Sequence, residues 1–259
     1  MKTFTIVIPT YNNLNLFKSA YSSVCKQDFK DYEIVVVDDS DDSSIEDYVS
    51  SLNNPILIYR HHVPSAGAVN NWNHGLQLAS GKYVIVLHHD EAFEEDNYLT
   101  SLNVQFQKGY EVLVTRVKVF NGGVLKPNVF SQAVMKFFIG CPSLLFLCNA
   151  IGPCSCIAFK REHITDFDNR LNWLVDVDWY YRLLKGKRRK FLDYLHINSF
   201  NDHEDKITNQ IDVKQSEVKD IAILNIKYKY HLLLRCCLFI NKMVMLYDLK
   251  GIIKKLIRK

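Results

Sequence analysis

Short apolar runs alternate with segments of helical periodicity through the N-terminal third of the chain, and this alternation restricts the fold more tightly than any other feature. Residues 3 to 8 (TFTIVI) stop at Pro9, Glu33 to Val37 (EIVVV) stop at Asp38 and Asp39, Ile56 to Arg60 form a third run, and Tyr83 to Leu87 stop at His88, His89 and Asp90. Short apolar runs bounded in this way read as buried strands. Between them, Asn15 to Gln27, Ser44 to Leu52 and Ala68 to Ala79 read as helices. Strands alternating with helices predict an α/β fold with a mostly parallel central sheet flanked by helices. Right-handed crossovers then bring every loop that follows a strand to one edge of the sheet, where ligands of such folds bind. The acidic clusters fall on that edge.

Beyond residue 110 the pattern loosens. Glu111 to Phe120 and Ile157 to Lys160 read as strands, with an irregular stretch between them, and a helix is expected from about Asp176 to Leu184. A polar run from Asn198 to Asn209 marks a break, and residues 217 to 259 are helical in pattern, apolar on part of the circumference and basic on the rest. The expected division is therefore a main domain over residues 1–210, in halves 1–92 and 93–210, followed by a basic amphipathic helical appendage over 211–259.

With 48% apolar and 23% charged residues the chain is neither disordered nor fibrous. Its net charge of +4 is gathered at one end, because nine Lys or Arg and a single acid, Asp248, lie from Lys227 onward. Arg235, Asn241 and Lys242 interrupt any apolar span there, and the mixture suits a helix lying on an anionic membrane surface. Residues 137 to 159 are uncharged and long enough to cross a bilayer, but Gly140, Pro142, Asn149, Gly152 and Pro153 punctuate them, so buried loop and core are expected. The N-terminal apolar run is too short for a secretory leader. Seven cysteines without paired C-x-x-C spacing read as reduced, mostly buried thiols rather than zinc ligands or disulfides.

Three segments in fixed order carry a resemblance: VIPTYNN at 7 to 13, VVVDDS at 35 to 40, and AGAVNNWNHGLQLASGKYVIVLHHDE at 66 to 91. Together they resemble the family 2 glycosyltransferases of the GT-A fold, of the bacterial O-antigen and capsule type. The resemblance covers about residues 3 to 205 and is tightest before 92. A nucleotide diphosphate sugar offers a base edge with donors, ribose hydroxyls and a charged diphosphate, so its site needs carboxylate acceptors and a cation. The resemblance implies that Pro9, Tyr11, Asp38, Asp39, Asn73 and His88 meet the nucleotide, with Asp39 at a uracil N–H. By residue type alone, Asp41 and Asp42 suffice to cap the helix at Ser44.

His88-His89-Asp90-Glu91 stand where the family carries its D-x-D metal motif. Asp90 is the expected ligand of a divalent cation, Mn2+ or Mg2+, with Glu91 and His203 beside it. His88 replaces the usual first aspartate and brings no negative charge. LVDVDWYYRLL at 174 to 184 resembles the family's E-D-x-x-x-x-x-R segment. Counting back from Arg182 gives Asp176 as the base that removes the acceptor proton; Val175 replaces the usual Glu, which leaves Asp178 as a rival. Gly152, in a small-residue segment, with Trp179 and Arg182, is implied at the acceptor.

The implied activity is inverting transfer of one sugar from a nucleotide diphosphate donor, a UDP-hexose or UDP-N-acetylhexosamine, to a hydroxyl of an undecaprenyl-diphosphate-linked saccharide. Residues 1–92 would bind the nucleotide and 93–210 the acceptor, peripherally at the cytoplasmic face of the bacterial inner membrane. No Q-x-x-R-W motif of a processive synthase is present. The alternatives are a non-catalytic nucleotide-sugar-binding protein, which needs no base, and a nucleotidyltransferase, whose glycine-rich basic loop is replaced here by Pro-Thr-Tyr-Asn-Asn. Nucleic acid is not an expected partner, since the basic tail is also strongly apolar.

Overall fold

The computed structural model describes residues 1–127, 130–201 and 212–246. Among those residues the sheet has nine strands, β1 (Phe4–Thr10), β2 (Tyr32–Asp38), β3 (Leu57–His61), β4 (Tyr83–Val86), β5 (Glu91–Phe93), β6 (Val112–Asn121), β7 (Val124–Leu125), β8 (Ile157–Lys160) and β9 (Arg189–Phe200), in the order β3-β2-β1-β4-β8-β6-β9-β5, with β7 on β6. Strands β1, β2, β3 and β4 are the four apolar runs of the sequence and pair in parallel. β1, β2 and β4 are buried throughout, so the continuous runs reflect cover on both faces of the sheet. Each such Val or Ile contributes roughly 1.5–3 kcal/mol. Between the strands lie α1 (Leu14–Cys25), α2 (Ser44–Ser51) and α3 (Ala68–Leu78). α3 approaches the sheet closely because Gly75 has no Cβ, which would meet Val7 Cγ1 at 2.3 Å.

The other half of the sheet is mixed. β8 runs antiparallel to β4 and to β6. β5 lies antiparallel on β9, which is parallel to β6, and β7 closes a hairpin on β6. Sequence reading did not identify β5, β9 or the helix α4 (Tyr98–Gln107). The expected boundary at 92 falls inside β5. The apolar stretch from 137 to 159 is not a span: it forms the end of α5 (Gln132–Gly140), short 3-10 turns at Pro142–Phe146 and Cys154–Cys156, and the start of β8. Among the described residues no helix is long and apolar enough to cross a membrane. All seven cysteines are free, but only Cys154, Cys156 and Cys237 are buried, fewer than expected.

α6 (Val175–Leu184) is sunk in the core on nearly all sides. Two further helices, α7 (Val213–Lys227) and α8 (Leu232–Leu246), close the described chain. They are not separate from the main body, because Ile221, Leu224, Leu234 and Leu238 enter the same hydrophobic cluster as the sheet. The expected division at 210 therefore does not divide the core. Residues 247 to 259, part of the predicted tail, lie outside the described residues.

Candidate active site

The parallel register aligns the carboxyl ends of β1, β2 and β4, and hydrogen bonds tie the loops that follow them. Asp39 N donates to Thr10 O at 3.0 Å and Leu87 N to Val7 O at 2.8 Å. After β1, Asn12 takes a left-handed φ of 54° and its side chain clasps Asp41, donating to Oδ2 at 2.9 Å and accepting from the Asp41 amide at 2.8 Å. Tyr11 Oη donates to the same Oδ2 at 3.1 Å. Pro9 O lies 3.3 Å from His89 Nδ1, joining this loop to the one after β4.

Asp38 and Asp39 are buried and well supplied with donors. Asp38 accepts from Ser40 N and Oγ and, at 2.6 Å, from Tyr59 Oη. Asp39 accepts from Ser65 Oγ at 2.6 Å, Ala66 N at 2.6 Å and Gly67 N at 2.9 Å, shaping the turn that enters α3. At the start of α2, Asp42 Oδ1 accepts from Ser44 N at 2.9 Å, while the N-cap Ser43 makes no side-chain cap bond. Asn73, expected at the nucleotide, spends both ends of its amide on the backbone of Phe167, at 2.9 and 2.7 Å. It staples α3 to the loop before α6, a partner far away in sequence that spacing cannot reveal.

After β4, one donor atom each from His88, Asp90 and Glu91 fall within 4.8 Å of one another. Burial lowers the His88 pKa to about 4 against the pull of Asp90, so the imidazole is neutral and keeps a lone pair. Its ring lies over Trp72 at 5.0 Å, and its Nε2 is 3.2 Å from Cys154 Sγ. Glu91 is buried and accepts from His88 N at 3.1 Å; burial, with Asp90 adding to it, raises its pKa well above the ordinary range. Two carboxyls and a neutral imidazole held this closely fit a divalent cation, whose charge would relieve the crowding. His203 lies outside the described residues.

Asp176 and Asp178 stand two residues apart in the first turn of α6 and face different surroundings. Asp178 is fully buried and saturated: it accepts from Arg182 Nε at 2.9 Å, Lys227 Nζ at 3.0 Å and Tyr228 Oη at 2.7 Å. Asp176 has a buried Oδ1 with no hydrogen-bond partner, and burial raises its pKa to about 7. Its charge acts on Glu91 and Cys154, which places it near the β4 cluster. The last turn before α6 is held from the C-terminal helices. Asp220, fully buried on α7, accepts from Trp173 N at 2.7 Å and Leu174 N at 2.8 Å, and from Asn172 N.

Of the residues expected at the acceptor, Gly152 has a φ of 100°, and its carbonyl accepts from Tyr180 Oη at 2.8 Å. The Trp179 indole is fully buried, stacks on Phe167 at 4.3 Å and donates to Thr165 O at 2.8 Å. Arg182 bonds Asp178, Thr165 and Asp166 O and lines an open cavity of about 310 Å³ with Asn73 and Asp168. The sequence does not single out Tyr180 or Asp220, and Cys154 enters only with the segment after Gly152 that resembles the family's stretch under the acceptor. Tyr180 could have been found, since it lies four residues after Asp176 and so shares its helix face; Asp220 carries no local signal.

The model of the family described as Glycosyl transferase family 2 matches residues 5–167 of this chain. A protein of Escherichia coli strain K12 named as the colanic acid biosynthesis glycosyl transferase WcaA is 28% identical over 206 residues, 75% of this chain and 72% of that protein. The GalNAc(5)-diNAcBac-PP-undecaprenol beta-1,3-glucosyltransferase of Campylobacter jejuni is 31% identical over 113 residues, 42% of this chain and 36% of its own length. Among solved structures, Staphylococcus aureus TarS 1-349 with UDP-GlcNAc superposes with a TM-score of 0.67 at 18% identity, covering 86% of this chain and 67% of that one. The Pyrobaculum calidifontis mannosyltransferase PcManGT, with GDP-Man and Mn2+, gives 0.66 at 17%, covering 94% of this chain and 70% of that one. The fold they share is GT-A.

Proposed function

The chain belongs to glycosyl transferase family 2, and from that premise we propose that it transfers a single sugar from a nucleotide diphosphate sugar to a hydroxyl of a lipid-linked saccharide, with inversion at the anomeric carbon. The observation that carries the reading is the contrast within the first turn of α6, where Asp178 is saturated and Asp176 keeps a buried, unpartnered oxygen beside the β4 cluster. A binding protein has no use for such a group. A pKa near 7 suits a general base working at neutral pH.

In this reading the acceptor oxygen attacks the anomeric carbon and gives its proton to Asp176, while the bond to the diphosphate breaks on the opposite face and the leaving group departs with the electron pair. Asp39, which accepts three bonds and has room for a fourth, and Asp38 order the pocket for base and ribose, with Pro9 and Tyr11 along it. His88, Asp90 and Glu91 would hold Mn2+ or Mg2+, which when bound neutralises the diphosphate. The donor is read as a UDP-hexose or UDP-N-acetylhexosamine, supported by the UDP-GlcNAc bound to TarS. The undecaprenol in the name of the Campylobacter relative supports the lipid-linked acceptor.

We further read α8 as the membrane-facing element of a peripheral protein at the cytoplasmic face of the bacterial inner membrane. Leu234, Cys237 and Leu238 bury one face of it, while Leu232, Leu233, Phe239 and Ile240 stay exposed among Arg235 and Lys242. An exposed apolar stripe with flanking cations suits an anionic lipid surface.

The test is binding and turnover of a panel of nucleotide sugars with Mn2+, Mg2+ or EDTA, comparing the wild type with Asp90→Ala. Metal-dependent binding that Asp90→Ala weakens roughly 10–100-fold is expected. Absence of binding to every nucleotide sugar under every metal condition would overturn the assignment.

A further inference from the structure

A cavity of about 250 Å³ opens between β6, Lys126 and Pro127 just after β7, and the loop that carries Gly152. Val117, Phe130 and Met135 make most of its wall apolar, and Arg116 and Lys126 bring the only charges among its lining residues. Among the described residues no carboxylate lines it. Arg116 is held in place by a hydrogen bond from Nη1 to Phe130 O at 3.3 Å and by the Phe191 ring, 5.2 Å from its guanidinium carbon, whereas Lys126 is exposed at the mouth. A saccharide alone would find few polar partners here, and an uncharged lipid would leave two cations unanswered.

We propose that this groove binds the phosphate-bearing end of the acceptor lipid, with phosphate oxygens at Arg116 and Lys126 and the first part of the apolar chain against Val117, Phe130 and Met135. The proposal rests on the glycosyltransferase reading and adds to it the residues that select the acceptor. Two features connect the groove to the chemistry. Gly152 lines it, and the Gly152 carbonyl is bonded to Tyr180, on the same face of α6 as Asp176. The close passage of the loop over Val117 also requires glycine, since a Cβ at residue 152 would lie 2.9 Å from Val117 Cγ1. A phosphate held at Arg116 and Lys126 is thus joined to the reacting hydroxyl by a short saccharide. Guanidinium and ammonium groups on phosphate form charge-assisted hydrogen bonds, which a neutral ligand cannot replace.

The experiment is calorimetric titration of the full chain with farnesyl diphosphate, farnesol and inorganic pyrophosphate in EDTA, so that no cation at the β4 cluster holds the diphosphate. Farnesyl diphosphate is expected to bind at least about tenfold more tightly than either fragment, and Lys126→Glu, an exposed change that does not threaten folding, to weaken it about tenfold while leaving farnesol unaffected. Arg116→Lys, which keeps the charge, should weaken it less than Arg116→Gln. Pyrophosphate or farnesol binding as tightly as farnesyl diphosphate, or indifference to Lys126→Glu, overturns the proposal. Metal-dependent donor hydrolysis by the same preparation separates the two readings. If it persists while farnesyl diphosphate fails to bind, the groove alone is misassigned; if it too is absent, the reading beneath it falls as well.

Discussion

The carboxylates of the parallel half of the sheet and those gathered between the end of β4 and the start of α6 begin with the same chemistry and end in opposite conditions. Glu33 is buried, which by itself pushes its pKa up, yet Thr5 and Ser80 bond it at 2.6 to 2.8 Å and hold the pKa below the ordinary value. Asp38 and Asp39 are likewise surrounded by donors from their own loops. In the second group, burial raises the pKa of Glu91 and Asp176, and no nearby donor offsets it for Asp176. A carboxylate satisfied within the protein shapes the fold. One left wanting is a destabilised group that persists because substrate or cation completes it.

That contrast can be broken at several places. The largest effect is expected at Asp176→Asn, which should lower turnover roughly a thousandfold with donor affinity changed less than about twofold, measured by steady-state kinetics and nucleotide-sugar titration. Asp178→Ala should act on the fold instead. It strands the charges of Lys227 and Arg182 and should cost about 3–5 kcal/mol in urea unfolding; an unchanged midpoint would show that Asp178 is not structural. Asp220→Asn weakens the hold on the backbone before α6 and should cost about 2 kcal/mol, lowering kcat more than it changes donor affinity. Glu33→Gln should have the smallest effect, about 1 kcal/mol near neutral pH. Because the folded-state pKa of Glu33 is depressed, its contribution is present above the ordinary Glu range and disappears as the pH falls through the folded value, so the difference between variant and wild type should shrink in acid.

The two regions also differ in how far the sequence revealed them. β1 to β4 were legible because each is buried on both faces and therefore written as an uninterrupted apolar run ending in a loop signal. β9 was not, since RKFLDYLHINSF alternates buried Leu195, Ile197 and Ser199 with more exposed residues and carries Lys, Asp and His, and its pairing with β6 is a long-range matter. α4 was missed although Tyr98, Leu102 and Phe106 repeat every four residues, because the strand signals on either side drew the reading. At the site, the sequence identified which residue types gather at the sheet edge. It could not say which would be consumed internally: Asn73, Trp179 and Arg182 all turn to the loop at 165 to 167. The cap that α7 supplies to α6 was equally invisible, since Asp220 lies 48 residues from the Asn172 amide it accepts from.

The most direct test is the pH dependence of stability in Asp176→Asn against the wild type, by urea unfolding between pH 4 and 8 in EDTA. The folded pKa of Asp176 is raised from 3.8 to about 7, so below pH 4 the carboxyl is protonated in both states and the two proteins should be nearly equal. Between those values only the unfolded chain ionises, wild-type stability falls, and above pH 7 the variant should be the more stable by roughly 4 kcal/mol while lacking turnover. A variant that is equally or less stable at pH 8 would mean that Asp176 is satisfied within the protein, and the case for it as the base would fail.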